Sequence, residues 1–219
     1  MAEGVQREHI YVTGSPMREV MEVHRSGIES SQVLNRLELE EKKYIVLSAH
    51  REENIDHKEH FESLMSAVNA MAENYQMPVI YSLHPRSAKL IGERQFSFHP
   101  LVRKMPPFNF TDYSRLMRSA YCVVSDSGTM PEEAAVGRFP AVCIRTSTER
   151  PEALDKGCFI IGGITEDSLI QSVYMAADMA EKGDFGGAVA DYEPECVSST
   201  VIKIIQSYTR IIDTKVWRK

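Results

Sequence analysis

The stretch Ser125-Asp126-Ser127-Gly128-Thr129-Met130-Pro131-Glu132-Glu133 follows the apolar run Tyr121–Val124. A strand that ends on small polar residues and turns into a helix presents backbone N–H groups backed by the helix dipole, a ready receptor for phosphate. Gly128 lets a ligand approach the backbone closely, and Ser127 adds a hydroxyl. Thr129 followed three residues later by Glu132 reads as a capping box, which gives Glu132 a structural duty. Glu133 has no such duty. A spare carboxylate just beyond a phosphate cradle can accept hydrogen bonds from a ribose diol, and the order of strand, small-residue turn and extra acid points to a nucleotide.

Other chemistry lies at the ends of other apolar runs. His50 and His84 each close one, each beside an arginine, Arg51 and Arg86. Phosphate contact or proton transfer at a sugar would suit these pairs; so would the capping of a turn. Arg145 and Arg150 flank Thr146-Ser147-Thr148 and can clamp a diphosphate through paired hydrogen bonds. Glu149, Glu152 and Asp155 stand near enough in sequence to neutralise both. Tyr113, before the run 121–126, can stack on a base or serve as a half-buried aromatic. His57 and His60 bracket Glu59 at helical spacing, but no third ligand group accompanies them, so no metal site is expected.

These residues need elements to hold them. Apolar runs at 9–14, 43–50, 77–84, 121–126, 139–145 and 158–163 read as strands. Helical periodicity appears at 61–75, about 112–120, about 166–180 and 197–214, and Ser15-Pro16 reads as a further helix start. Continuous apolar strands alternating with helices predict an α/β fold with a doubly wound parallel sheet covered on both faces. Ligands of such sheets bind beyond the carboxyl ends of the strands. That edge is where Thr13–Pro16, His50–Asn54, His84–Arg86, Ser125–Gly128 and Arg145–Arg150 gather.

The chain has 219 residues, 43% hydrophobic and 26% charged, and is read as one domain spanning 1–219. Its net charge of −6 argues against non-specific nucleic-acid binding. An anionic ligand therefore needs local positive potential. Four cysteines lie at least fifteen positions apart, three of them inside apolar runs, which suits a reducing compartment and buried thiols. No signal-peptide pattern and no uninterrupted apolar span of membrane length are read. A cytoplasmic location without membrane attachment is the expectation.

In this order, "VTGSP", "SAHREEN", "SDSGTMPEEA" and "RTSTERPEAL" resemble the non-hydrolysing UDP-N-acetylglucosamine 2-epimerase family. The resemblance runs from about residue 9 to residue 182. "SAHREENID", "YSLHPRS" and "AVCIRTSTERPEALDKG" look closest to a branch acting on UDP-linked 2-acetamido-6-deoxy-L-hexoses for capsule or O-antigen. The resemblance implies the Rossmann-like, C-terminal half of a GT-B arrangement, with UDP or a UDP-sugar as ligand and no cofactor. Ser127 and Gly128 would hold the diphosphate, with Arg150 reaching it. Glu133 would bind the ribose, Tyr113 would face uracil, and His50 would be the catalytic histidine near the pyrophosphate. Arg145, Arg51 and His84 complete the expected binding set.

The family's chain begins with an N-terminal domain that supplies acidic catalytic residues. Here the match starts almost at Met1, so a missing domain or a partner chain is expected to complete the active site, and the helix 197–214 would cross back to it. The resemblance leaves a homodimer open. Family chemistry eliminates UDP across C1–C2 and adds it back with C2 inverted. No base for C2 is recognisable, so this chain alone is expected to bind UDP with little or no turnover. Two other readings stay open: the donor-binding half of a GT-B glycosyltransferase, and a non-catalytic UDP-sugar-binding subunit.

Overall fold

The structure, a computed structural model, describes residues 4–218. Three short helices come first, α1 (Met17–Val23), α2 (Arg25–Ser30) and α3 (Val33–Arg36). The chain then runs through β1 (Ile45–Ser48), α4 (Glu52–Ile55), α5 (Lys58–Tyr75), β2 (Val79–Ser82), α6 (Pro85–Arg94) and β3 (Val102–Met105). The second half holds α7 (Phe110–Ser119), β4 (Cys122–Ser125), α8 (Met130–Gly137), β5 (Ala141–Cys143) and α9 (Pro151–Leu154). It ends with β6 (Ile160–Ile161), α10 (Glu166–Glu181) and α11 (Val197–Lys215).

All strand pairs are parallel, in the order β3-β2-β1-β4-β5-β6. The chain builds outward from β1, returns to its other side and builds outward again from β4. This is the doubly wound sheet that the sequence predicts, and its direction reverses between β1 and β4. There the flanking loops part and leave a crevice at the carboxyl edge. Ser48 and Ser125 stand side by side at that edge.

The apolar runs are continuous because both faces of each strand are covered. Ile45, Leu47, Val79, Tyr81 and Val124 pack with Phe61, Leu64, Met65 and Val68 of α5 and Leu169 and Val173 of α10. Val46, Ile80, Val123 and Ala141 face the other way, toward Leu116, Met117, Met130 and Phe139. Cys122, Cys143 and Cys158 are buried and Cys196 is exposed.

Two strand expectations need correction. Residues 9–14 form no strand: a single 3-10 turn at Arg7–His9 gives way to irregular backbone, with Tyr11 49% and Val12 77% exposed. This segment lies against α11, where the Tyr11 hydroxyl donates to that of Tyr208 (2.6 Å) and Tyr208 in turn donates to the carbonyl of Glu8 (2.8 Å). Apolar composition alone does not distinguish a segment docked on a helix from a strand in a sheet. Conversely, the edge strand β3 carries Arg103 and Lys104 on exposed positions. It has no apolar run to mark it in the sequence, as is usual for charged edge strands. Among the described residues no helix is long and apolar enough to cross a membrane.

Phe61 is 1% exposed, edge-on to Phe96 and beneath the Arg94 guanidinium, whose carbon stands 4.4 Å from the ring centre. Truncation of Phe61 to alanine is expected to cost about 3–5 kcal/mol of stability. It should lower the urea midpoint with an unchanged slope.

Candidate nucleotide site at the carboxyl edge

Asp126 is the first residue past β4 and is fully buried, 0% exposed. Its carboxylate accepts hydrogen bonds from the backbone N–H of His50 (2.9 Å) and Arg51 (2.9 Å) and from Asn54 Nδ2 (3.1 Å). Its own N–H donates to the carbonyl of Ser48 at 3.2 Å. Asn54 also donates to the carbonyl of Ile144 at 2.8 Å, so the ends of β1, β4 and β5 are tied through one acid and one amide. The His50 Nδ1 lies 3.2 Å from Asp126 Oδ1. The imidazole is thereby set against the acid's edge. The His50 ring stacks on His84 with centroids 5.2 Å apart. His84 Nδ1 accepts from Arg86 N at 3.2 Å, the capping role, while Arg86 pairs with Glu52 and Asp56.

The turn after Asp126 is partly self-satisfied. Ser127 N–H donates to Ser125 Oγ (3.0 Å), and Thr129 N–H donates to Ser127 Oγ (3.4 Å). An anion is left with the Gly128 amide and the Ser127 hydroxyl rather than a full row of N–H groups. The cations are close by. A β-carbon at Gly128 would stand 3.3 Å from Arg51 Nη2, 3.6 Å from Glu149 Oε2 and 4.0 Å from Arg145 Nη1. Arg51 is held in place by donating from Nε to the carbonyl of Asp126 (3.2 Å). The Arg145 side chain is 6% exposed and donates to Glu149 Oε1 at 3.0 Å. Its Nε, 3.6 Å from Glu53 Oε1, is buried without a hydrogen-bond partner, as is that oxygen.

Arg150 is placed differently. Its Nε donates to Glu132 Oε1, and Glu132 Oε2 accepts from the Ser15 hydroxyl. The capping-box reading of Glu132 is therefore corrected: Thr129 makes no side-chain cap, and Glu132 joins α8 to Arg150 and to the segment before α1. The ion pair and the hydroxyl draw Glu132 away from the helix end, since a charge-assisted bond outcompetes a cap. Ser15 Oγ in turn accepts from Met17 N at 3.1 Å, so Ser15 serves the start of α1 as expected.

Glu133 lacks any such partner. Burial, then the charge of Glu132, pushes its carboxyl up to about 7. It lies near Tyr113, whose phenol is raised above its ordinary value by burial and then by Glu133. Tyr113 stands in the first turn of α7, which Asn109 caps by accepting from Asp112 N at 2.9 Å. Among the described residues the Glu133 side chain makes no ion pair, and a buried acid of this kind gains from a ligand that brings hydroxyl donors.

The structure thus brings His50, Arg51, His84, Ser127, Gly128 and Arg145 to one stretch of the edge, with Glu133 and Tyr113 beside one another. Arg150 is turned toward Glu132. The fold adds Asp126 and Asn54, and it sets Glu149, expected to neutralise the arginines, over the turn itself. The signal for Asp126 was an acid directly after an apolar strand at a switch point, where it must be buried and must find donors.

The UDP-N-acetylglucosamine 2-epimerase family model matches residues 1–206. The UDP-N-acetylglucosamine 2-epimerase of Methanococcus maripaludis is 26% identical over 181 residues, which is 79% of this chain and 49% of that protein. The solved UDP-N-acetylglucosamine 2-epimerase from Rickettsia bellii superposes with a TM-score of 0.87 at 31% identity, covering 100% of this chain and 58% of that one. The Methanocaldococcus jannaschii UDP-GlcNAc 2-epimerase, solved in complex with UDP-GlcNAc and UDP, shares the fold with a TM-score of 0.84 at 23% identity. That match covers 94% of this chain and 57% of that one. The likenesses bear out a Rossmann-like half of a larger GT-B-type arrangement. This chain spans about half the length of the curated relatives it matches.

Because the folded Glu133 carboxyl is raised from an ordinary value of 4.5 to about 7, its ionisation opposes folding increasingly between those values and fully above them. Glu133→Gln is expected to stabilise the ligand-free chain at pH 8 by up to about 3 kcal/mol. The gain should shrink to nothing by pH 4. Urea unfolding of both proteins across that range reads it directly.

Proposed function

The chain belongs to the UDP-N-acetylglucosamine 2-epimerase family, and from that premise we propose that it is the UDP-binding half of a UDP-HexNAc 2-epimerase. The observation that carries the reading is the turn at Ser127-Gly128, set at the β1/β4 reversal between the guanidiniums of Arg51 and Arg145. The diphosphate sits on the Gly128 amide and those guanidiniums. Glu133 takes the ribose hydroxyls and Tyr113 the uracil. Arg150 reaches the diphosphate by exchanging Glu132 for it.

In the proposed reaction UDP leaves across C1–C2 of the sugar and returns with C2 inverted. The leaving diphosphate gains negative charge as the C1–O bond breaks, and the cradle's cations favour that state over the intact sugar nucleotide. His50, whose ring lies beside Asp126, offers a hydrogen bond or proton to the departing group. The acid or base at C2 belongs to a second domain or partner chain, which also supplies the sugar contacts. Action on 6-deoxy sugars for capsule or O-antigen, a cytoplasmic location and a homodimer belong to the same proposal.

Calorimetric titration of UDP into the folded chain is expected to show saturable binding, weakened at least tenfold by Glu133→Ala and by Arg145→Ala, on the scale of a lost charge-assisted hydrogen bond. Arg150→Ala should weaken it as well. Ribose hydroxyls donating to Glu133 favour its ionised form, so its pKa falls from about 7 on binding. Near pH 6.5 binding should then release more protons from the wild type than from Glu133→Ala, seen as a steeper dependence of the observed heat on buffer ionisation enthalpy, the remainder coming from the terminal phosphate of UDP. Epimerisation is expected only after a family N-terminal half is added. Turnover by the chain alone, or no UDP binding at all, overturns the proposal.

A further inference from the structure

Glu149 has no role in the reading above, yet it occupies the middle of the cradle. Its Oε1 accepts from Arg145 Nη2 at 3.0 Å and lies 3.8 Å from Arg51 Nη1. Its Oε2 faces the open side of Gly128, 3.6 Å from where a β-carbon would stand. The carboxylate therefore fills, over the only residue of the turn without a side chain, the space between the same two guanidiniums that would take a phosphate. It is also the exposed member of the group: its side chain is 59% exposed while that of Arg145 is 6% exposed.

Glu149 sits on the segment between β5 and α9, in a run of Thr, Ser and Thr that packs no apolar side chain into the core. Among the described residues its side-chain partners are the cradle's cations Arg145 and Arg51. Hydrogen bonding from Arg145, then that residue's charge, holds its carboxyl below the usual range, so it is ionised at neutral pH. Meanwhile Arg145 Nε, 3.6 Å from Glu53 Oε1, makes no hydrogen bond. One carboxylate leaves donors of the cradle unused, and a diphosphate offers more acceptor oxygens and more charge than a carboxylate does.

We propose that Glu149 is a built-in competitor for the ligand's phosphate, closing the ligand-free cradle and leaving it only for an anion charged highly enough to displace a carboxylate. It is a specificity-determining residue rather than a contact to the sugar nucleotide. It disfavours ligands with a single phosphate, because their gain over Glu149 is small, and admits diphosphates. The inference rests on the nucleotide reading of this turn.

The test is calorimetric titration of UDP, UMP and inorganic pyrophosphate into the wild-type chain, Glu149→Gln, Glu149→Asp and Arg145→Ala. Glu149→Gln is expected to bind all three more tightly, by roughly two- to fivefold for UDP, the scale of an exposed ion pair. The gain should be larger for UMP, so that the preference for UDP over UMP narrows. Glu149→Asp, charged but shorter, should fall between the wild type and the glutamine variant. The variants remove no core contact, and a thermal melt confirms that they fold. If UDP binds the wild type and Arg145→Ala weakens it, but Glu149→Gln leaves affinity unchanged or lowers it, the competitor role is overturned while the site stands. If UDP and pyrophosphate bind none of the folded proteins, the site and the competitor fall together.

Discussion

The buried carboxylate of Asp126 is the constraint on which the carboxyl edge depends. A parallel sheet that reverses direction between two strands leaves the backbone beyond them without a ladder partner, and unpaired N–H groups in a buried place are costly. Asp126 meets that cost at the reversal itself, accepting from His50 N, Arg51 N and Asn54 Nδ2. The chain after β1 is thereby drawn over the end of β4. Arg51 then reaches the Gly128 turn, and His50 is set with one nitrogen on the acid. Replacing this acid with an apolar residue would orphan several donors at once, and the positions of both side chains would go with them.

Charge at this edge follows the same logic of local pairing. In a protein of net charge −6, the arginines of the cradle are not surplus cations waiting in water. Each is matched in the ligand-free state: Arg145 by Glu149 and, at 3.6 Å, by Glu53; Arg51 by Glu149 at 3.8 Å; Arg150 by Glu132. Such matching keeps half-buried guanidiniums where they are, at the cost of competition with the ligand. The partners differ in mobility. Glu132 is buried within α8 and shared with Ser15, whereas Glu149 is exposed on an irregular segment.

Much of the architecture was legible because it rests on burial. Strands covered on both faces must be apolar throughout, and 43–50, 77–84, 121–126 and 139–145 read so without ambiguity. The helices 61–75 and 166–180 were set within a few residues by their stripes. What failed were features whose cause lies elsewhere in the fold. In Ile10-Tyr11-Val12 the partner is α11, reached through Tyr11 and Tyr208, 197 residues apart in sequence, rather than a neighbouring strand. The edge strand β3 is polar because one side of it faces water. The capping box at Thr129–Glu132 satisfied every local rule and lost to Ser15 and Arg150, neither of which local spacing could bring there. Glu149 was seen only as a neutraliser of surface charge, since its place over Gly128 exists only once β4 and β5 lie side by side.

The adjacent pair Glu132 and Glu133 carries this contrast to its end. Two carboxylates at the start of one helix would both favour its dipole, and sequence alone cannot separate them further. The fold separates them by what each meets. Glu132 meets a guanidinium and a hydroxyl, so its charge is paired within the protein. Glu133 is buried beside its neighbour's charge, and its carboxyl rises to about 7. A group so placed gains from any ligand that brings hydroxyl donors, because those donors restore the solvation that folding removed. If Glu133 takes the ribose as proposed, selectivity for a ribose over a deoxyribose follows from the same deficit: a sugar lacking one hydroxyl leaves a buried carboxylate short of a donor, and that penalty exceeds the value of an ordinary hydrogen bond.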